Sequence, residues 1–128
     1  MMPASCDPPP GSAAEQADQT MWLWERMVAA AAREREASRR RLLIQVQEKL
    51  PAYFQVKRVA AVYLVGSLLR AGHFYPFSDI DLAVAELQED YFTLLAELED
   101  LLDWRVDIIE LERCRFREKV MAAALRIR

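Results

Sequence analysis

Residues 79–85 read DIDLAVA, and that alternation constrains the chain more than any other stretch of it. Side chains two apart in an extended strand share a face. Asp79, Asp81, Ala83 and Ala85 therefore lie on one side, and Ile80, Leu82 and Val84 on the other. The apolar side must be buried, so the segment is a strand packed on a core. Its other side carries two carboxylates followed by small residues that leave room for a ligand. Two like charges so close repel, and one takes up a proton unless a cation is present. Magnesium prefers oxygen donors and commonly takes one or two carboxylates with water and substrate phosphates. Asp79 and Asp81 are thus candidate metal ligands beside a polyphosphate.

A third carboxylate, Asp107, interrupts the apolar run RVDII. Burying it there without a partner would be costly. If its strand lies beside the Asp79–Asp81 strand, it joins the same metal site; Glu110, three positions on, faces the other way. Upstream, Val59–Val65 reads VAAVYLV, apolar on both faces, as a central buried strand does. Gly66-Ser67 follows it directly. A strand that ends in small residues and opens into a helical turn presents backbone N–H groups that attract phosphate. Gly66 permits close approach, Ser67 supplies a hydroxyl, and Arg70 is placed to neutralise phosphate charge. This is no Walker loop, since the chain has 3 glycines and no GK[ST].

The rest of the chain frames this segment. Residues 1–19, rich in Pro, Ala, Ser and Gly, are expected to form a disordered tail. A long N-terminal helix is expected over about 20–50, with Thr20 as N-cap and Pro51 as stop, and residues 20–128 form one domain. Within the helix Leu43, Val46 and Leu50 make an apolar face, whereas Arg33–Arg41 reads as a solvated stretch. Trp22 and Trp24, on the far end, either fold back on the core or meet a partner, including a second copy of the chain. Strands are expected at Val59–Val65, Ile80–Val84 and Trp104–Leu111, helices at Asp90–Leu102 and Cys114–Arg126, with the Cys114 thiol at the start of the latter. The fold class is α/β: a small sheet packed with helices.

Composition excludes several classes. With 17 basic and 20 acidic residues, the net charge of −3 lacks the basic excess of a non-specific nucleic-acid binder. Two cysteines far apart and one histidine, His73, exclude an ordinary zinc site or a disulfide framework. No apolar run reaches the roughly 20 residues a membrane span needs, and no secretory signal stands at residues 1–19, so a cytoplasmic protein is expected. His73, Phe74, Tyr75 and Phe77 crowd the loop before Asp79, where they either plug it against the domain or contact a base.

A strand ending in Gly66-Ser67, a spacer, Asp79-x-Asp81 on a strand and Asp107 in an apolar strand together resemble the DNA polymerase β-type nucleotidyltransferase superfamily. The short chain is most similar to the minimal nucleotidyltransferases encoded beside HEPN-domain ribonuclease toxins, over roughly Leu42–Leu125. The resemblance implies the minimal nucleotidyltransferase fold with a mixed sheet. It also implies Asp79, Asp81 and Asp107 as catalytic ligands of two magnesium ions, Gly66 and Ser67 as the phosphate-binding pair, and ATP as substrate. Its implied activity is that of an antitoxin transferring AMP to a tyrosine of a HEPN-type toxin; related proteins neutralise by binding alone, and others modify aminoglycosides. The spacer, Leu68–Ser78, is one residue longer than the family's usual and is expected to bulge.

Overall fold

The computed structural model describes residues Ala13–Arg128. Of the disordered tail expected at 1–19, residues 1–12 lie outside the described residues and 13–19 are helical instead. The chain divides into two units, one ending at Glu34 and the other covering Arg35–Arg128.

Helix α1 spans Ala13–Gln55, longer at both ends than expected. Residues 13–19 are helical, so Thr20 is not an N-cap; its hydroxyl donates to the Gln16 carbonyl one turn back (2.7 Å). In this first unit Trp22 and Trp24 are exposed, and the Arg26 guanidinium lies 4.7 Å from the Trp22 ring centre.

In the second unit α1 buries Arg39, Leu42, Val46, Leu50 and Phe54, a stripe at helical spacing. The helix runs through Pro51 rather than stopping there. An interior proline costs about 3 kcal/mol, and complete burial of Phe54 one turn past Leu50 offsets much of that, at roughly 1.5–3 kcal/mol. Pro51 itself lies on the exposed flank of the helix. The helix end is held by Lys57 N–H and Arg128 Nε–H, both donating to the Phe54 carbonyl (3.1 and 3.2 Å).

Strands β1 (Ala61–Val65), β2 (Ile80–Ala85), β3 (Val106–Glu110) and β4 (Leu125–Arg126) form one mixed sheet in the order β3-β2-β1-β4. β1 is antiparallel to β2 and β4, and β2 is parallel to β3. Helix α2 (Tyr91–Leu102) supplies the β2–β3 crossover; its N-cap Asp90 accepts from Thr93 N–H and Oγ1–H (2.9 and 2.8 Å).

The register sorts the two faces. Val62, Leu64, Ile80, Leu82, Val84, Val106 and Ile108 point into the main core with α1 and α2. Val65, Ala83 and Leu111 form a smaller cluster on the opposite face, packed by Tyr63, Ile109, Val120 and Ala124. The long terminal helix expected over Cys114–Arg126 is absent. A short helix α3 (Arg117–Met121) is followed by β4. Cys114 instead ends a 3-10 turn, Leu111–Arg113. Without β4 the outer edge of β1 would leave backbone groups unpaired; Ile127 N–H donates to Val62 O (2.8 Å) and Val62 N–H to Arg128 O (3.0 Å). No helix of the described residues is long and apolar enough to cross a membrane.

Candidate functional site

Asp81 and Asp107 are direct partners across the β2–β3 ladder, and Val65 partners Asp81 across β1–β2. Partnered residues present their side chains on the same face, so both carboxylates stand on the side of the smaller cluster, just past its last apolar residue. Glu110 partners Val84, whose side chain belongs to the main core, and so lies on the opposite face, as strand parity predicts. It pairs with Arg113 (3.7 Å).

Asp81 is half-buried, and its carboxyl is pushed up from 3.8 to about 6, first by burial, then by the charges of Asp107 and Asp79. An acid so placed is still mostly charged at neutral pH, but its charge is destabilised by burial and by its neighbours, and a cation reaching it relieves that. Asp79 sits just before β2 and is exposed. Its Oδ1 pairs with Arg105 Nε (3.2 Å). Arg105 also donates through Nη2 to the carbonyls of Pro76 and Ser78, so this one guanidinium ties the loop before β2 to the start of β3. Sequence reading gave Arg105 no part in the site; its position two residues before Asp107 was the available signal.

Gly66 ends β1 with φ +82 and ψ −154, a conformation open essentially to glycine alone. A Cβ there would also overlap the Asp81 carboxylate. Backbone and carboxylate therefore touch only because the residue is glycine. Ser67 opens the 3-10 turn Ser67–Leu69, whose N-cap is Gly66, so its hydroxyl is not used as a cap. Arg70 closes the turn, exposed. Gly66, Arg70 and Asp81 line a cleft of about 760 Å³ with Val65, Lys119 and Ala124. That volume is within the range of roughly 300–1,000 Å³ typical of small-molecule sites. Lys119, on α3, adds a second cation and was not anticipated; its place in a helix misjudged in length hid it.

The loop expected to bulge is anchored. Phe74 is buried against Trp104 (ring centres 5.6 Å apart), and Trp104 Nε1–H donates to the Ser78 carbonyl (2.7 Å). Tyr75 and Phe77 stack in parallel at 5.3 Å, exposed, with the Arg35 guanidinium 5.0 Å from the Tyr75 ring centre. His73 is exposed. The stretch Arg33–Arg41 is not uniformly solvated, because Arg39 is buried.

The donor set suits a hard divalent cation: carboxylate oxygens, two of them adjacent and electrostatically strained. As the side chains stand, however, no group of three or more Asp, Glu, His or Cys converges in metal-holding geometry among the described residues. Asp79 is paired with Arg105 instead.

Comparison with known proteins places the fold in a family. Residues 48–127 match the family model described as polymerase beta, nucleotidyltransferase, and the chain belongs to that family. No curated protein matches it. Among solved structures it is similar to a mutant of the toxin–antitoxin MntA–HpeT, with 20% identity and a TM-score of 0.53 over 64% of this chain and 72% of that one. The fold is that of a minimal nucleotidyltransferase.

Proposed function

We propose that this protein is a magnesium-dependent antitoxin that transfers AMP from ATP to a tyrosine hydroxyl of a HEPN-type toxin. The observation that carries the reading is the Asp81–Asp107 partnership beside Gly66, which joins an acidic pair to a backbone that only glycine can form. Family membership supports the nucleotidyltransferase chemistry, and the toxin–antitoxin identity of the similar structure supports the partner.

In the proposed reaction the acceptor hydroxyl oxygen bonds to the α-phosphorus of ATP as the bond to the β-phosphate bridge breaks. Pyrophosphate leaves and the hydroxyl proton is lost. Asp81, Asp107 and, once released from Arg105, Asp79 would hold magnesium, which would neutralise the phosphate charge. The backbone at Gly66 and the Ser67 hydroxyl grip the terminal phosphates, and Arg70 and Lys119 complement their charge from the cleft wall. In this reading Asp107, which is exposed at the strand surface, takes the hydroxyl proton. Catalysis of this type is mainly positioning and charge stabilisation. The exposed Trp22 and Trp24 are assigned to contact with the toxin or a second copy of the chain.

One observation favours a second reading, neutralisation by binding alone: Asp79 is held by Arg105 rather than turned to the other two carboxylates. Incubation with ATP labelled in the α-phosphate, magnesium and the toxin separates the two. Label should enter the toxin with the natural chain and not with Asp79→Ala/Asp81→Ala. A double variant that neutralises the toxin as well as the natural chain, with no label entering in either case, would establish the binding-only reading.

A further inference from the structure

The turn that follows Gly66 is held partly from outside the sheet. Its internal bonds are Leu69 N–H to Gly66 O (3.2 Å) and Arg70 N–H to Ser67 O (3.0 Å). The carbonyl of Leu68, whose side chain is fully buried, takes its hydrogen bond from elsewhere: Arg39 Nη1–H on α1, at 2.9 Å. Arg39 is 9% exposed on a helix face otherwise made of Leu42, Val46, Leu50 and Phe54. A guanidinium there is costly unless its donors are paired. Glu36, one turn earlier, takes Nε–H on both oxygens (3.1 and 3.0 Å) and Nη2–H on Oε1 (2.6 Å). The second oxygen of Glu36 also accepts from Gly72 N–H (3.3 Å), at a left-handed residue with φ +79. One ion pair on α1 therefore grips the segment at Leu68 and again at Gly72, on both sides of Arg70.

An apolar residue at position 39 would have completed the stripe without any charge to bury. We propose that Arg39, oriented by Glu36, is the positioning residue of the Ser67–Arg70 turn, holding the Ser67 hydroxyl and the Arg70 side chain in place to receive a triphosphate before the nucleotide arrives. The phosphate part rests on the function proposed above; the mechanical part does not. Arg39 touches neither phosphate nor acceptor and acts through the turn. Such preorganisation lowers the ordering cost of binding, so its loss is read in nucleotide affinity.

Two measurements on the full chain test this. Amide hydrogen exchange is followed at Leu69, Arg70 and Gly72, with Val62, Leu64 and Leu82 as sheet controls, in the natural protein, Arg39→Met and Arg39→Lys. Loss of charged hydrogen bonds of this kind predicts exchange faster by about tenfold or more at the three turn amides in Arg39→Met, with the sheet unchanged. Arg39→Lys, which keeps the charge but not the planar fork that reaches Glu36 and the Leu68 carbonyl together, should fall between. Calorimetric titration with Mg-ATP should show Kd raised about tenfold or more in Arg39→Met and less in Arg39→Lys. If Arg39→Met does not fold, Glu36→Gln is read instead, with the same turn amides accelerating. Unchanged turn exchange, or acceleration spread equally over the sheet, overturns the positioning role. Faster turn exchange with unaltered Mg-ATP affinity overturns the phosphate part. A natural protein that binds no Mg-ATP removes the proposed function and the phosphate part with it, while the exchange data still decide whether Arg39 holds the turn.

Discussion

Replacing Asp81 with asparagine should make the metal-free protein more stable while abolishing the proposed transfer. The folded protein raises the Asp81 carboxyl from 3.8 to about 6, chiefly through burial and secondarily through Asp107 and Asp79. At about 1.4 kcal/mol per factor of ten in proton affinity, that corresponds to roughly 3 kcal/mol against folding at neutral pH. Solvent screening of the half-buried side chain reduces this to roughly 1–2 kcal/mol. The sign follows from linkage. A carboxyl that binds its proton more tightly when folded favours the folded state at low pH, and that advantage is lost as pH rises from about 4 through about 6. Asparagine does not titrate, so the stability difference between variant and natural protein should be small near pH 4 and full above pH 6. Other shifted carboxylates, such as Glu36, are common to both proteins and cancel in the difference. The assay is thermal unfolding with chelator at pH 4, 5, 6 and 7. About 1 kcal/mol moves Tm by roughly 4–8 °C in a unit of this size. Equal or lower stability of Asp81→Asn at pH 7, or a difference indifferent to pH, would refute the electrostatic account of the acidic pair.

Gly66→Ala should lose about 1–3 kcal/mol from the backbone conformation alone, with a further loss from overlap with Asp81, measured by urea unfolding. Asp107→Asn should bring the Asp81 carboxyl down from about 6, since it removes the larger of the two charge contributions; carboxyl-carbon NMR titration reads this directly. Asp90→Ala removes the cap of α2 and should cost about 1 kcal/mol by chemical denaturation, without altering nucleotide binding.

Much of the site was legible because strand parity is a strict rule. The alternation of DIDLAVA places Asp81 opposite the buried face, and a lone Asp in RVDII is tolerable only at an open position, so their meeting on one face follows once β2 and β3 are neighbours. Helix α2 and the apolar β1 were equally plain from periodicity. What escaped depended on tertiary demand. Helix α1 continues past Pro51 because Phe54 finds a buried site, and no local rule reports that. Residues 125–126 form a strand because β1 has an unpaired edge, although Val120, Ala123 and Ala124 carry helical spacing. Arg39 lies in the stretch Arg33–Arg41 that reads as solvated; only the Leu68 carbonyl, far along the chain, explains its burial. Arg105 likewise gains its role from lying beside Asp79 in space.

The carboxylates and the glycine turn are expected to act together as a metal-dependent triphosphate site. Calorimetric titration of a non-hydrolysable ATP analogue, with magnesium or with chelator, tests that for the natural chain, Asp81→Asn and Asp107→Asn. Binding that requires magnesium and is lost in both folded variants is the expected result. Binding of equal strength without the metal, or retained undiminished in both variants, would contradict it.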